Sequence, residues 1–233
     1  MSMARLAGLI AMLSALQACA SKLEATQDEV EQDAGLGDED PDSDLPRRSG
    51  EFRHSPKLDG WVVTLVDATV ETEWQQLDLD TGLDAEGEAD WDIAFSRFRL
   101  RTNGGVTGPG GVQVAALEGE SFEDVTRAPD EGFAADREDS TGEGGDTDGD
   151  PDNAFNSGEE DWYGYNVMTH ELSPKDVTYV IASSEQRFYK FRIEDYYDSA
   201  GTPAKLKFKW DEIEAPEAGW PPAASGDEEP ADE

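Results

Sequence analysis

KLKFKW, the stretch at residues Lys205–Trp210, decides the fold class of this chain. Its lysines alternate strictly with large apolar residues. Successive side chains of a β-strand point to opposite faces of a sheet, so this period of two predicts a strand with one buried and one solvent-facing side. Similar alternation, or a run of β-branched and aromatic residues, recurs at residues 61–70, 91–100, 177–181 and 189–193.

No stretch shows a long period of 3.6 residues, so the sequence predicts an all-β, mainly antiparallel single domain. Within residues 91–100 the apolar parity switches, which predicts a β-bulge near Ser96–Arg97. Aromatic residues on strands usually contribute to a core. The candidates here are Trp91, Phe95, Tyr179, Tyr189 and Phe191.

The N-terminus has the features of an export signal. Arg5 precedes an apolar run at residues 6–16, which is shorter than the ~20 residues that a permanent membrane span needs. Leu16-Gln17-Ala18-Cys19 then resembles a lipobox, and Cys19 is the only cysteine of the chain. We therefore expect residues 1–18 to be a lipoprotein signal peptide and Cys19 to carry a membrane lipid anchor.

The chain holds 54 acidic and 18 basic residues, a balance that disfavours nucleic acid as a partner. Residues 19–55 are acidic and poor in apolar side chains, so they are predicted to be a disordered linker. Residues 56–213 are predicted to be the β domain, with a long acidic loop inside it. Residues 214–233 are predicted to be a disordered acidic tail.

An ordered set of motifs across roughly residues 60–211 resembles the HmuY family. The set comprises Trp91–Phe95, Arg101–Gly105, Thr107–Gly111, Phe122, Val125, Ala128-Pro129, Trp162-Tyr163, Tyr165, Leu172, Pro174, Tyr179–Ile181, Phe188–Tyr197, Gly201 and Lys207–Trp210. The resemblance implies a β domain on an exported lipoprotein. In some members it also implies haem capture for iron uptake, with a haem-uptake receptor as a partner.

The resemblance implies two axial haem ligands, one before and one after the Trp162–Tyr165 motif. Residues 130–161 contain neither His nor Met, so the first expected ligand is missing. Beyond the motif, Met168 and His170 are the candidate ligands, although Val167 occupies the counted position. A packing role for Met168 and a surface role for His170 are the competing interpretations.

Three arginines, Arg97, Arg99 and Arg101, are candidates for pairing with haem propionates. An exposed strand face would explain them equally well.

A second candidate chemistry is a ladder of acidic residues, here called the aspartate ladder: Asp146, Asp148, Asp150 and Asp152, followed by Glu159. Oxygen ligands on alternating residues can surround Ca²⁺, and Asp148 to Glu159 has part of the spacing of a twelve-residue calcium loop. A solvated acidic loop is the competing interpretation, and no flanking helical pattern supports an EF-hand.

The sequence contains no hydrolase elbow, phosphate-binding loop, dinucleotide fingerprint or HExxH motif, so we do not expect an enzyme. The prediction is a surface-anchored binding module of the HmuY type, with haem capture as its candidate activity. The alternative is a calcium-dependent or structural surface lipoprotein that binds no haem. Ala20 in place of an aspartate after Cys19 favours the outer membrane as the location.

Overall fold

Two antiparallel sheets and a separate hairpin make up the part of the chain described by this computed structural model, residues 47–49, 51–57, 60–85, 90–139, 151–156 and 161–220. Within those ranges there are strands but no helix. Every pair of neighbouring strands runs antiparallel. The prediction of an all-β, mainly antiparallel domain is confirmed.

The strands are β1 (Arg47–Ser49), β2 (Phe52–His54), β3 (Val62–Asp67), β4 (Gln75–Asp78), β5 (Leu83–Asp84), β6 (Ile93–Ser96), β7 (Arg99–Thr102), β8 (Gln113–Glu118), β9 (Phe133–Ala134), β10 (Tyr163–Asn166), β11 (Glu171–Pro174), β12 (Val177–Ala182), β13 (Phe188–Tyr197) and β14 (Pro203–Ile213).

The large sheet has eight strands in the order β1-β2-β3-β14-β13-β12-β8-β9, and the small sheet has the order β5-β4-β6-β7. Strand β14 lies inside the large sheet and has the alternation that its sequence predicts. Leu206, Phe208 and Trp210 are buried, whereas Lys207 between them is exposed. The third element is the hairpin of β10 and β11.

Aromatic residues join the two sheets. Phe95 of the small sheet stacks on Phe208 of the large sheet with ring centroids 5.2 Å apart, and Phe191 contacts Phe208 at 4.9 Å. All three rings are fully buried. Burial of such side chains is the main force that holds the two sheets together.

The ordered domain extends beyond the predicted boundaries at both ends. Strand β2 pairs with β3, Phe52 is fully buried, and His54, assigned to the linker, is 2% exposed with Nδ1 2.8 Å from Thr64 Oγ1. At the other end, the Trp220 ring lies 4.8 Å from the Phe133 ring. The predicted linker and tail therefore need correction, because apolar residues in both segments pack on the sheet.

The predicted bulge at Ser96–Arg97 is a tight turn instead. Strand β6 ends at Ser96, β7 begins at Arg99, and Arg97 has a positive φ of 58°. A two-residue turn reverses the chain and switches the apolar parity, which is the same pattern that a bulge would leave. Irregular register occurs in β13 instead, between Ile193 and Tyr197.

A glycine-rich loop follows β7 and folds around Asn103. The Asn103 Nδ2 donates to the Trp91 carbonyl at 2.9 Å, and its Oδ1 accepts from Gly110 N at 3.0 Å. A Cβ on Gly105 would lie 1.8 Å from the Asp136 carbonyl oxygen, so only glycine fits this position. The loop thereby ties β7 to the segment around residue 136.

Candidate functional site

A cavity of about 230 Å³ opens beside β7 and the base of the β10–β11 hairpin. Its walls combine aromatic rings with guanidinium groups. The residues that matter for this face are Trp74, Phe98, Arg99, Arg101 and Tyr163. We call these five residues, together with Tyr165, the cation–aromatic face.

Strand β7 places two of the three predicted arginines on one side. Arg99 and Arg101 alternate with the buried Leu100, as the period of two requires. The Arg101 guanidinium lies 4.2 Å from the centre of the Trp74 ring and 5.1 Å from that of Trp91. Arg99 lies over the other part of Trp74 at 5.3 Å. These are cation–π distances, and they hold both side chains against the cavity wall.

Arg101 has unused binding capacity. Burial lowers its pKa from the ordinary value, although the nearby Asp136 charge acts in the opposite direction. The Nε atom of Arg101 is buried and has no hydrogen-bond partner. A guanidinium in this state can bind a carboxylate at little further desolvation cost.

Arg97 does not belong to the same face. It lies in the β6–β7 turn, where its Nη1 is 3.4 Å from the Thr69 carbonyl oxygen and its Nε is 3.8 Å from Glu71 Oε1. It is absent from the lining of the cavity. The structure therefore brings Arg99 and Arg101 together and leaves Arg97 outside.

The β10–β11 hairpin continues the aromatic wall outward. Trp162, at its base, is buried and donates from Nε1 to the Phe98 carbonyl at 2.9 Å. Tyr163 contacts the Phe98 ring at 6.0 Å. Tyr165 lies two residues further along the same strand and therefore on the same side as Tyr163. Tyr165 is 51% exposed.

The predicted haem ligands lie at the turn of this hairpin. His170 is exposed, with a positive φ of 62° and with Nδ1 2.5 Å from the Tyr165 hydroxyl oxygen. Met168 is 84% exposed, and Val167 beside it is 71% exposed. Neither Met168 nor His170 lines the cavity. Among the predicted ligands, His170 alone is connected to the cation–aromatic face, through Tyr165.

The family model described as HmuY protein matches residues 70–210, which is more than half of the chain. The chain belongs to the HmuY family. Both the cavity and the hairpin lie inside the matched region. No curated protein matches the chain.

Solved structures similar to this HmuY-family chain come from related bacteria. A candidate lipoprotein from Bacteroides fragilis has 19% identity and a TM-score of 0.47, covering 67% of this chain and 93% of its own. A protein from Bacteroides vulgatus, described as a candidate HmuY-like haem-binding protein, has 16% identity and a TM-score of 0.49, covering 69% and 96%. The apo HmuY analog of Tannerella forsythia has 16% identity and a TM-score of 0.49, covering 72% and 99%.

Several site residues of this HmuY-family domain were not predicted from its sequence. Trp74, Phe98 and Tyr163 come from separate elements, and only the pairing of β4, β6 and β7 brings Trp74 under the arginines. The spacing of Arg99 and Arg101 was the available signal. Their shared parity on a strand indicates two guanidinium groups on one side.

Asp136 supports the same region from behind. Its carboxylate accepts hydrogen bonds from Thr102 N at 2.7 Å, Thr107 Oγ1 at 2.7 Å and Ala154 N at 2.8 Å. Burial raises the pKa of Asp136, and these hydrogen bonds offset only part of that rise. Asp136 therefore joins the strand and loop that carry Arg101 to the segment at residue 154.

Most of the other predicted sites lie outside the described residues. This holds for Cys19 with the signal peptide, and for Asp146, Asp148, Asp150 and Glu159. Of the aspartate ladder, only Asp152 is described, and its Oδ2 accepts from Arg137 Nε at 3.2 Å. In the described part of the chain, no helix has both the length and the apolar character that a membrane crossing requires.

Proposed function

We propose that this HmuY-family chain is an exported surface lipoprotein that binds haem on the cation–aromatic face. The observation that carries the proposal is the continuity of one surface. It runs from the two arginines in the cavity, along Tyr163 and Tyr165, to the His170 ring. Such a surface offers aromatic contact, carboxylate binding and an iron ligand to one planar molecule.

His170 is the preferred iron ligand. Its Nδ1 is held by the Tyr165 hydroxyl, which fixes the ring and leaves Nε2 without a hydrogen-bond partner in the described part of the chain. Histidines that bind metals are usually oriented in this way by a second group on the other ring nitrogen. Haem supplies an iron centre that accepts such a nitrogen.

Arg101 and Arg99 are suited to the propionates. Both guanidinium groups are held against Trp74, so little side-chain entropy is lost when a carboxylate binds. Together with Arg99, the unpartnered Nε of Arg101 gives the face a positive charge in an otherwise acidic protein. Electrostatic attraction of an anionic ligand would therefore be local to this site.

The size of the cavity limits how haem could be held. At about 230 Å³ it is below the ~300–1,000 Å³ of typical ligand pockets. Haem would consequently be enclosed at one edge only, with the rest against exposed Phe98, Tyr165 and Met168. With no His or Met in residues 130–161, a single protein ligand and weak binding are expected.

The test is a micromolar haem titration monitored by Soret absorbance. The wild-type chain should shift the Soret band, and His170→Ala should weaken binding at least tenfold. Thr169→Ala is the matched control, because Thr169 is exposed in the same turn and only its backbone N–H is engaged, with Asn166. Spectra of free haem alone would contradict the proposal, and tight binding by both variants would exclude His170 as the ligand.

The lipid anchor is a separate part of the proposal. Residues 1–18 would be removed and Cys19 acylated, which would hold the domain at the cell envelope, with the outer membrane as the favoured location and a haem-uptake receptor as a candidate partner. Cys19→Ser should release the protein from membranes or leave an unprocessed precursor. A Cys19→Ser protein that is processed at the same position and still membrane-bound would exclude the anchor.

A further inference from the structure

Three carboxylates meet at the end of β4, away from the cation–aromatic face. One oxygen from each of Asp78, Asp80 and Asp92 lies within 4.8 Å of the others. We call these three residues the aspartate cluster. Asp78 ends β4, Asp80 follows in the next turn, and Asp92 comes just before β6.

Asp80 has an oxygen whose bonding is incomplete. Its side chain is only 2% exposed, and its Oδ1 accepts from Ser183 Oγ and Tyr189 Oη, both at 2.9 Å. Its Oδ2 is buried and has no hydrogen-bond partner. Buried carboxylate oxygens are normally satisfied by a donor, a water or a cation, so this oxygen lacks its partner.

The other two carboxylates are held in place by backbone groups. Asp92 is fully buried and accepts from Ser184 N at 2.7 Å and Leu79 N at 2.8 Å. Asp78 Oδ1 accepts from Asp80 N at 2.8 Å. The three negative groups are therefore oriented before any ligand arrives, which lowers the cost of binding one.

The surrounding charge does not neutralise the cluster. Arg187 Nη1 lies 3.6 Å from Asp80 Oδ1, but the same guanidinium also binds Glu212 through Nε at 3.0 Å. Within the described residues, one arginine thus faces four carboxylates. Burial raises the pKa of Asp92 to about 6, with a smaller contribution from the Asp80 charge, which agrees with a carboxylate that lacks a counter-ion.

We propose that Asp78, Asp80 and Asp92 form a binding site for a divalent cation, with Ca²⁺ as the best match in size. Oxygens up to 4.8 Å apart on opposite sides of an ion give a metal–oxygen distance of ~2.4 Å, inside the ~2.3–2.6 Å range of Ca²⁺ and longer than the ~2.0–2.1 Å of Mg²⁺. Waters would complete the coordination shell. With three protein carboxylates, affinity in the range of about 10⁻⁴ to 10⁻³ M is expected.

The site would join the two sheets. Asp78 and Asp92 belong to the small sheet and its loops, whereas Ser183, Ser184 and Tyr189, which bind Asp80 and Asp92, belong to the β12–β13 hairpin of the large sheet. A cation that binds the folded state only would therefore raise the melting temperature of the whole domain. At a hundredfold excess over Kd the rise is expected to be about 5–10 °C.

The experiment uses the full chain and two readouts. Melting is followed in millimolar CaCl₂ and in NaCl of equal ionic strength, and Tb³⁺ luminescence is excited through Tyr189 and Trp210, whose rings are 5.9 Å apart beside Asp80. The wild type should melt higher in CaCl₂ than in NaCl, and CaCl₂ should displace the Tb³⁺ signal. Equal melting in both salts, with no displaceable Tb³⁺ signal, would overturn the proposal and leave a buried water as the partner of Asp80.

Three variants locate the effect. Asp78→Asn is the main test, because asparagine keeps the oxygen that accepts from Asp80 N while removing a charge from the cluster. It should abolish both responses without unfolding the domain. Asp176→Asn is the matched control, since its side chain is 83% exposed and pairs with Arg192, and it should leave both responses intact. Loss of both responses in Asp148→Asn/Asp150→Asn, but not in Asp78→Asn, would overturn the proposal in favour of the aspartate ladder.

Discussion

The cation–aromatic face and the aspartate cluster both hold charged side chains against aromatic rings, but at different depths. Arg101 lies on a cavity wall between Trp74 and Trp91, and the wall continues into exposed residues such as Tyr165. Asp80 is 2% exposed and hydrogen-bonded between two sheets. Side chains at the exposed site can change with little effect on folding, whereas those at the buried cluster are part of what holds the fold together.

The strongest test of this difference removes the anchor of the hairpin. Trp162→Ala should lower the free energy of unfolding by about 3–5 kcal/mol, because it creates a cavity and removes the Nε1 hydrogen bond to Phe98. Urea denaturation measures the change. Trp74→Ala is the control, since Trp74 is only half-buried and should cost less. An equal cost at both positions would mean that burial does not distinguish the two tryptophans.

The same chemical change in the two regions should give opposite results. Tyr189→Phe removes the hydroxyl that donates to Asp80 and should lower the free energy of unfolding by about 1.5–3 kcal/mol. Tyr165→Phe removes the hydroxyl bonded to His170 and should change stability by less than about 0.5 kcal/mol while weakening haem binding. Chemical denaturation and the Soret titration, run on both variants, measure the two effects. A stability loss in Tyr165→Phe as large as that in Tyr189→Phe would remove the distinction.

A pH titration extends the comparison to Asp136, the buried acid behind the cation–aromatic face. Burial raises its pKa in the folded state above the ordinary value of 3.8. The unfolded chain then loses the proton at lower pH than the folded one, so the contribution of Asp136 to stability is complete below pH 3.8 and is lost as pH rises through its folded pKa. The measurement is the difference in unfolding free energy between wild type and Asp136→Asn, which should shrink as pH increases. A difference that grows with pH would contradict this sign.

The smallest effect is expected at the hairpin turn. Met168 is 84% exposed, so Met168→Ala should change the free energy of unfolding by less than about 0.5 kcal/mol. Its effect on haem binding should be weaker than that of His170→Ala, because the thioether has no partner that orients it. Parallel denaturation and Soret titrations check both statements. If Met168→Ala removed the Soret shift and His170→Ala did not, the ligand assignment would be reversed.

Local patterns explain the parts of the fold that could be predicted. The alternation of β14 depends only on which side chains are apolar, and its lysines and aromatics lie on the predicted sides. The turn at Arg97 was harder, since a turn and a bulge leave the same change of parity. The ends were misjudged because Phe52 and Trp220 are single apolar residues in acidic segments, and only their partners on the sheet show that they are buried or packed.

Composition and short-range order were enough to determine an all-β antiparallel domain, its family and the shared side of Arg99 and Arg101, because these follow from a period of two along one strand. Tertiary structure alone decided that Trp74 lies under those arginines and that Asp80 and Asp92 meet Ser183 and Ser184. These contacts join residues about 25 to 100 positions apart in the chain. Their closeness depends on sheet order and register, for which no single segment of sequence carries the information.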